Sequence, residues 1–185
     1  MRVGYYVRQL RTIRHSLSPQ AVKTLVHALI CSRVDFGNSA YAGLSSLNLS
    51  KLQTILNAAA RLIADLPKFS HISVFIRDTL HWLPVPQRIE FRILSLMRNS
   101  LLGVAPSYLC SLCILVSSLP GRSALRSAAS GLLVVPRMRG ATAQSRSFAY
   151  VGPSCWNRLP HKLRLELLNL SLPSFRKRLK TILFV

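Results

Sequence analysis

Hydrophobic positions recur at helical spacing along most of the chain. Between Tyr5 and Arg14, the apolar residues Tyr6, Val7, Leu10 and Ile13 fall on one face and arginines on the other. Ser18 followed by Pro19 is a helix start, a hydroxyl cap and then proline at the first helical position. The helix it opens is predicted to reach about Ser32 and to bury Val22, Leu25, Val26 and Leu29. Asp35 to Gly43 (DFGNSAYAG) is turn chemistry. A longer helix is predicted from about Asn48 to Ala64, with Leu52, Ile55, Leu56, Ala59, Leu62 and Ile63 as its apolar stripe. Ala58, Ala59 and Ala60 favour close approach of another helix, and Pro67 stops this one. A short helix from Ser70 to Asp78 follows, with His71 in its cap region, then LHWLPVP, where His81 beside Trp82 reads as a packing histidine. Gln87 to Leu102 is amphipathic again, with Ile89, Ile93, Leu96 and Met97 inward and Gly103 as the stop.

Beyond Gly103 the pattern changes. Asn99 to Gly121 carries no charge, but Gly103, Pro106, Ser107, Ser111, Ser117 and Ser118 interrupt it. A membrane span needs about 20 consecutive apolar residues, so this stretch reads as a helix end, a turn and a second short apolar helix. Leu132 to Pro136 (LLVVP) is short and β-branched, which predicts a strand. Ser147 to Pro160 is aromatic and turn-broken, and Pro173 to Val185 is a basic amphipathic helix with Phe175, Leu179, Ile182 and Leu183 on its apolar side. The expected fold class is mainly α: a helical region over 1–120, then a basic segment over 121–185 with mixed helix and short strand. There is no internal repeat.

Charge changes the picture. The 185 residues hold 25 Lys+Arg against 5 Asp+Glu, a formal net charge of +20, with 50% hydrophobic residues. Arg outnumbers Lys 19 to 6. A chain of this length can bury a core, and one of this charge seeks polyanions, either nucleic acid or an anionic membrane surface. The first 34 residues hold no acid, as in some mitochondrial presequences; a basic helix of a basic protein is the plainer reading. The acids, Asp35, Asp65, Asp78, Glu90 and Glu166, are scattered. Two-metal phosphoryl transfer and paired-carboxylate hydrolysis both need clustered acids, so catalysis is not expected, nor a cofactor or small-molecule substrate.

Cys110 and Cys113 form a CxxC, but the remaining candidates, Cys31, Cys155, His81 and His161, lack the partner spacing for zinc. Reduced thiols and no metal site are expected, and no histidine sits in a nucleophile–base motif. The basic, aromatic last third is the better signal. It carries 12 basic residues and one acid in 65 residues, where the first 120 hold 13 and 4. The candidate phosphate-contacting residues are Arg122, Arg126, Arg137, Arg139, Arg146, Arg158, Arg176, Lys177, Arg178 and Lys180, with Arg158 in a WNRLP setting that could bury it. Guanidinium groups bind phosphate bidentately. Phe148, Tyr150 and Trp156 could stack on bases; for Trp156 a core role is the expectation.

SLSPQAVKTLVHALICSRVDFGNSAYAGL (Ser16 to Leu44), LQTILNAAARLI (Leu52 to Ile63), LHWLPVPQRIEFRIL (Leu80 to Leu94) and APSYL (Ala105 to Leu109) form one ordered series of blocks. ALRSAASGLLVVPRMR (Ala124 to Arg139), FAYVGPSCWNRLP (Phe148 to Pro160) and LPSFRKRLKTILF (Leu172 to Phe184) continue it. The series resembles the carboxy-terminal part of the polyprotein of a non-LTR retrotransposon, a long interspersed element, after the reverse transcriptase catalytic core. The resemblance covers nearly the whole chain. It implies a helical, thumb-like region over 1–120 and a less characterised segment after it. The family's polymerase signature, an aromatic residue, Ala and two adjacent aspartates, lies upstream of the matched region, and no Asp-Asp occurs in this chain. The aromatic-Cys-Asn of the family is Phe36, Gly37 and Asn38 here.

The resemblance therefore implies a non-catalytic fragment of a reverse transcriptase, of the kind that 5′ truncation leaves behind. It implies nonspecific RNA or DNA contact, the missing polymerase core as a partner, and a nuclear or cytoplasmic ribonucleoprotein as the setting. Two alternatives stand beside it: a decayed-element product with no molecular function, and a basic membrane-associated protein.

Overall fold

The computed structural model describes residues 3–121, 130–137 and 146–184. Among them the protein is mainly helical and has no sheet. It divides into two compact units, Met1–Asn38 with Leu44–Arg88, and Ser39–Gly43 with Ile89–Val185.

In the first unit, α1 (Val3–Thr12) packs on α4 (Ser46–Ala64), which also receives α2 (Pro19–Val26). Ser18 caps α2 as expected, its hydroxyl accepting from the Ala21 N–H at 3.2 Å. The chain then makes a π-helical turn, His27–Cys31, before α3 (Ser32–Asp35). The wider turn moves the buried face. Val22, Val26, Ile30 and Val34 enter the core, while Leu25 and Leu29 are only half-buried. Ala59 and Ala60 are fully buried, the close helix approach their small side chains predict. α4 ends three residues before Pro67, because Asp65 takes a left-handed conformation (φ 56°) and lets the Leu66 N–H reach back to the Arg61 carbonyl at 2.9 Å. The segment expected as a short helix contains a π-helical turn, Phe75–Thr79.

His81 is a correction. It is exposed at φ 51°, with Nδ1 3.0 Å from the Arg77 carbonyl, and shapes a turn instead of packing. His27 is the residue that meets Trp82, edge-on at 5.4 Å between centroids.

The second unit is built on α5 (Val85–Leu101), whose Ile89, Ile93, Leu94 and Met97 are buried. The packing boundary falls at Arg88–Ile89, whereas the change of composition lies near residue 120. The two differ because the later helices supply the core that α5 needs. These are α7 (Phe148–Arg158), α8 (His161–Asn169) and α9 (Leu172–Leu183), which bury Cys155, Trp156, Leu167, Phe175 and Leu179. Before them, α6 (Ser107–Cys110) is a single turn that follows Gly103 at φ 68°. No described helix is long and apolar enough to cross a membrane.

Two expectations for the last third are corrected. Leu132–Pro136 is not a strand; Leu133 makes one antiparallel bridge with Leu115. Its backbone is completed by a side chain, since the Leu133 N–H donates to Asn157 Oδ1 at 2.9 Å and Asn157 Nδ2 donates to the Leu133 carbonyl at 2.8 Å. A neighbouring strand is unnecessary where an amide side chain supplies both partners. Phe148–Arg158 is not turn-broken but one helix with Pro153 inside it. Proline in a helix interior costs on the order of 3 kcal/mol. Burial of Pro153, Cys155 and Trp156 offsets that cost. Trp156 is fully buried, and its indole donates to the Gly131 carbonyl at 3.1 Å, so it is a core residue and not a stacking platform.

Candidate nucleic-acid interface

The placement of the sequence-predicted cations is uneven. Arg122, Arg126 and Arg139 lie outside the described residues. Arg137 is exposed. Arg146 is exposed but tied down, with Nε donating to the Ala42 carbonyl at 3.2 Å and Nη2 to that of Ala40 at 3.4 Å. Arg158 is exposed, not buried, and its Nη2 sits 3.0 Å from Cys155 Sγ. Burial pushes the Cys155 thiol above its ordinary pKa, against the opposing pull of Arg158.

Four of the candidates share α9. Phe175 and Leu179 anchor this helix in the core, which turns Arg176 and Lys177 to solvent. Arg178 pairs with Glu166 at 3.0 Å. Lys180 is half-buried, its ammonium 5.7 Å from the Phe184 ring centroid. Arg176 and Lys180 are one turn apart on the helix. Among the described residues no carboxylate pairs with Arg176 or Lys177.

Many other guanidiniums work inside the fold. Arg88 Nη1 reaches both Asp35 oxygens, at 2.7 and 3.0 Å, and its Nε donates to the Leu83 carbonyl at 2.8 Å. Arg98 is buried, donating from Nε to the Leu167 carbonyl at 3.0 Å and from Nη2 to that of Leu170, with its guanidinium 4.9 Å from the Phe175 centroid. Arg164 is also buried and donates to the carbonyls of Ser130, Asn157 and Leu159. Burial lowers its pKa from the ordinary guanidinium value. A carbonyl orients a guanidinium but leaves its charge in place. Only four ion pairs occur among the described residues. The positive field of the sequence therefore survives folding largely uncompensated.

The first unit assembles a cationic site that pattern reading missed. A cleft of about 400 Å³ is lined by Arg11, Arg14, His15, Arg61, Leu62, Asp65, Leu66, Pro67 and Lys68. It forms where the chain leaves α1 and where α4 ends. The last turn of α4 has carbonyls without helical partners. Arg14 fills that need, Nε donating to the Leu62 carbonyl at 3.0 Å, and Arg61 Nε donates to Ser70 at 2.8 Å. Arg14 also lies 3.8 Å from Asp65, whose side chain is 72% exposed. Arg11 and Lys68 are exposed on the cleft wall. Four permanent cations thus face one acid. Each guanidinium has five donors, more than these carbonyls engage. The sequence signal was present as basic residues at the ends of two predicted helices. Nothing local shows that residues 11–15 and 61–68 converge.

Both thiols of the CxxC reach backbone carbonyls. Cys110 Sγ donates to the Ala105 carbonyl and Cys113 Sγ to that of Leu109, each at 3.3 Å. Among the described residues no group of three His, Cys, Asp or Glu side chains is placed to hold an ion. In comparisons with known proteins, no family model, no curated protein and no solved structure matches the chain.

Proposed function

We propose that the chain is a non-catalytic part of a non-LTR retrotransposon reverse transcriptase that holds RNA or DNA by its sugar–phosphate backbone. The observation that carries this reading is the imbalance of charge. The sequence has 25 cations against 5 acids. Four ion pairs among the described residues leave Arg176, Lys177, Arg11 and Lys68 available at the surface. The ordered sequence resemblance supplies the family. The cations act as positioning contacts and carry no base readout.

Titration of a labelled oligonucleotide against salt tests the reading. Engagement of about 5 phosphates gives a log–log slope near −4. A salt-insensitive affinity, or no binding to single-stranded RNA or duplex DNA at low salt, refutes it. Primer extension by the purified chain would refute the non-catalytic assignment.

A further inference from the structure

The first unit places an aromatic side chain beside its cationic cleft. Phe69 is 86% exposed. Its sequence neighbour Lys68 lines the cleft, and the Lys68 ammonium stands 5.2 Å from the Phe69 ring centroid. The ring thus adjoins, through Lys68, a wall that also carries Arg11, Arg14 and Arg61. The carbonyl bonds from Arg14 and Arg61 hold the inner cations in place, so the site is formed before any ligand arrives.

We infer that this cleft and Phe69 together bind single-stranded nucleic acid, one backbone phosphate entering between the cations and the adjacent unpaired base stacking on the phenyl ring. The inference rests on the proposed function and narrows it to a strand type and a place. A free phosphate would use the cations alone and leave the ring idle. A duplex would offer phosphates, but its bases are already stacked and cannot lie on Phe69. Single strands supply both partners, since every base has a stacking face. Arg11 and Lys68, exposed and without an ion pair among the described residues, contribute charge, whereas Arg14 and Arg61 also hold the local fold.

The test uses the full chain and fluorescence anisotropy with a labelled uridine oligomer and a duplex DNA of equal length. Phe69→Ala is expected to weaken single-strand binding about tenfold, the scale of one lost base–aromatic stack, and duplex binding less than about twofold. Phe69→Trp is expected to retain single-strand affinity. Arg11→Ala with Lys68→Ala should weaken both ligands and reduce the steepness of the salt slope by about 1 to 2. Unchanged single-strand binding by Phe69→Ala, or equal losses on both ligands, overturns the inference while leaving the proposed function intact. Failure of the unaltered chain to bind either ligand at low salt overturns both. Inorganic phosphate competing as well as the oligomer at equal phosphate concentration would also overturn it, since cations alone would then account for the site.

Discussion

Replacing Gly152 with alanine sets two physical effects against each other. Gly152 lies inside α7 and is buried. In an ordinary helix interior, Gly→Ala stabilises by about 1 kcal/mol, through reduced backbone freedom in the unfolded chain. Here the new methyl would point into the thioether of Met97, and Phe148 Cε2 would lie only 3.4 Å from it. Met97 is fully buried, so its sulfur cannot swing into solvent. Overpacking of this kind typically costs about 1–3 kcal/mol. The expected net result is a destabilisation of about 1 kcal/mol, or about 2–4 °C in melting temperature for a chain of this size. Thermal melts followed by circular dichroism measure it. The double variant Gly152→Ala with Met97→Ala provides the control, because the methyl partly fills the space that the shortened side chain vacates. The double variant should lose less stability than the sum of the two single changes. A Gly152→Ala protein more stable than the parent, or strict additivity with Met97→Ala, would refute the close packing of α7 on α5.

Other consequences follow from the same structure. Arg176→Ala with Lys177→Ala should leave the melt unchanged and weaken oligonucleotide binding at low salt, with the difference shrinking as salt rises; a loss that persists at high salt would contradict phosphate contact. Cys31 is pushed from 9.0 up to about 11, first by burial and then by Asp35, with Arg88 opposing. Between those two values the unfolded thiol ionises while the folded one keeps its proton. Stability from this group is therefore complete below about pH 9 and is lost as pH rises towards 11, by at most about 1.4 kcal/mol per pH unit. Urea unfolding of Cys31→Ala across this range should show a shallower decline than the parent, and parallel curves would count against it. Asp35→Asn should cost about 1 kcal/mol, since Arg88 is mostly buried but the aspartate is 42% exposed to solvent that weakens the pair. An unaltered urea midpoint would show the pair to be idle.

Helices were the most readable feature of the chain. α1, α2, α4, α5 and α9 lie close to where periodicity and caps place them, because a helical face needs only residues three and four apart. What local pattern missed was decided at longer range. Through the π-helical turn at His27–Cys31, Ile30 and Val34 join Val22 and Val26 in the core while Leu29 stays half-buried, and no residue type marks such a turn. Pro153 argues locally against a helix, yet α7 runs through it because Cys155 and Trp156 gain burial there. LLVVP has strand propensity but pairs only briefly, through one bridge to Ile114–Val116, and Leu133 takes the Asn157 amide as its other partner. Among the candidate site residues, Arg176 and Lys177 are exposed as helical spacing predicts. Arg146 and Arg178 meet partners distant in sequence that no local rule could name.

The net charge, the scarcity of acids and the helical segmentation are properties of composition and of neighbours along the chain, and the amino-acid order by itself settles them. Which cations face solvent is a property of the fold. Arg98 and Arg164 are as basic in sequence as Arg11 or Lys68, but the first two satisfy carbonyls inside the protein. The second two stand on the wall of a cleft. Tertiary packing separates them because a buried backbone oxygen needs a donor, and a long guanidinium side chain from a distant residue can reach it while keeping its charge.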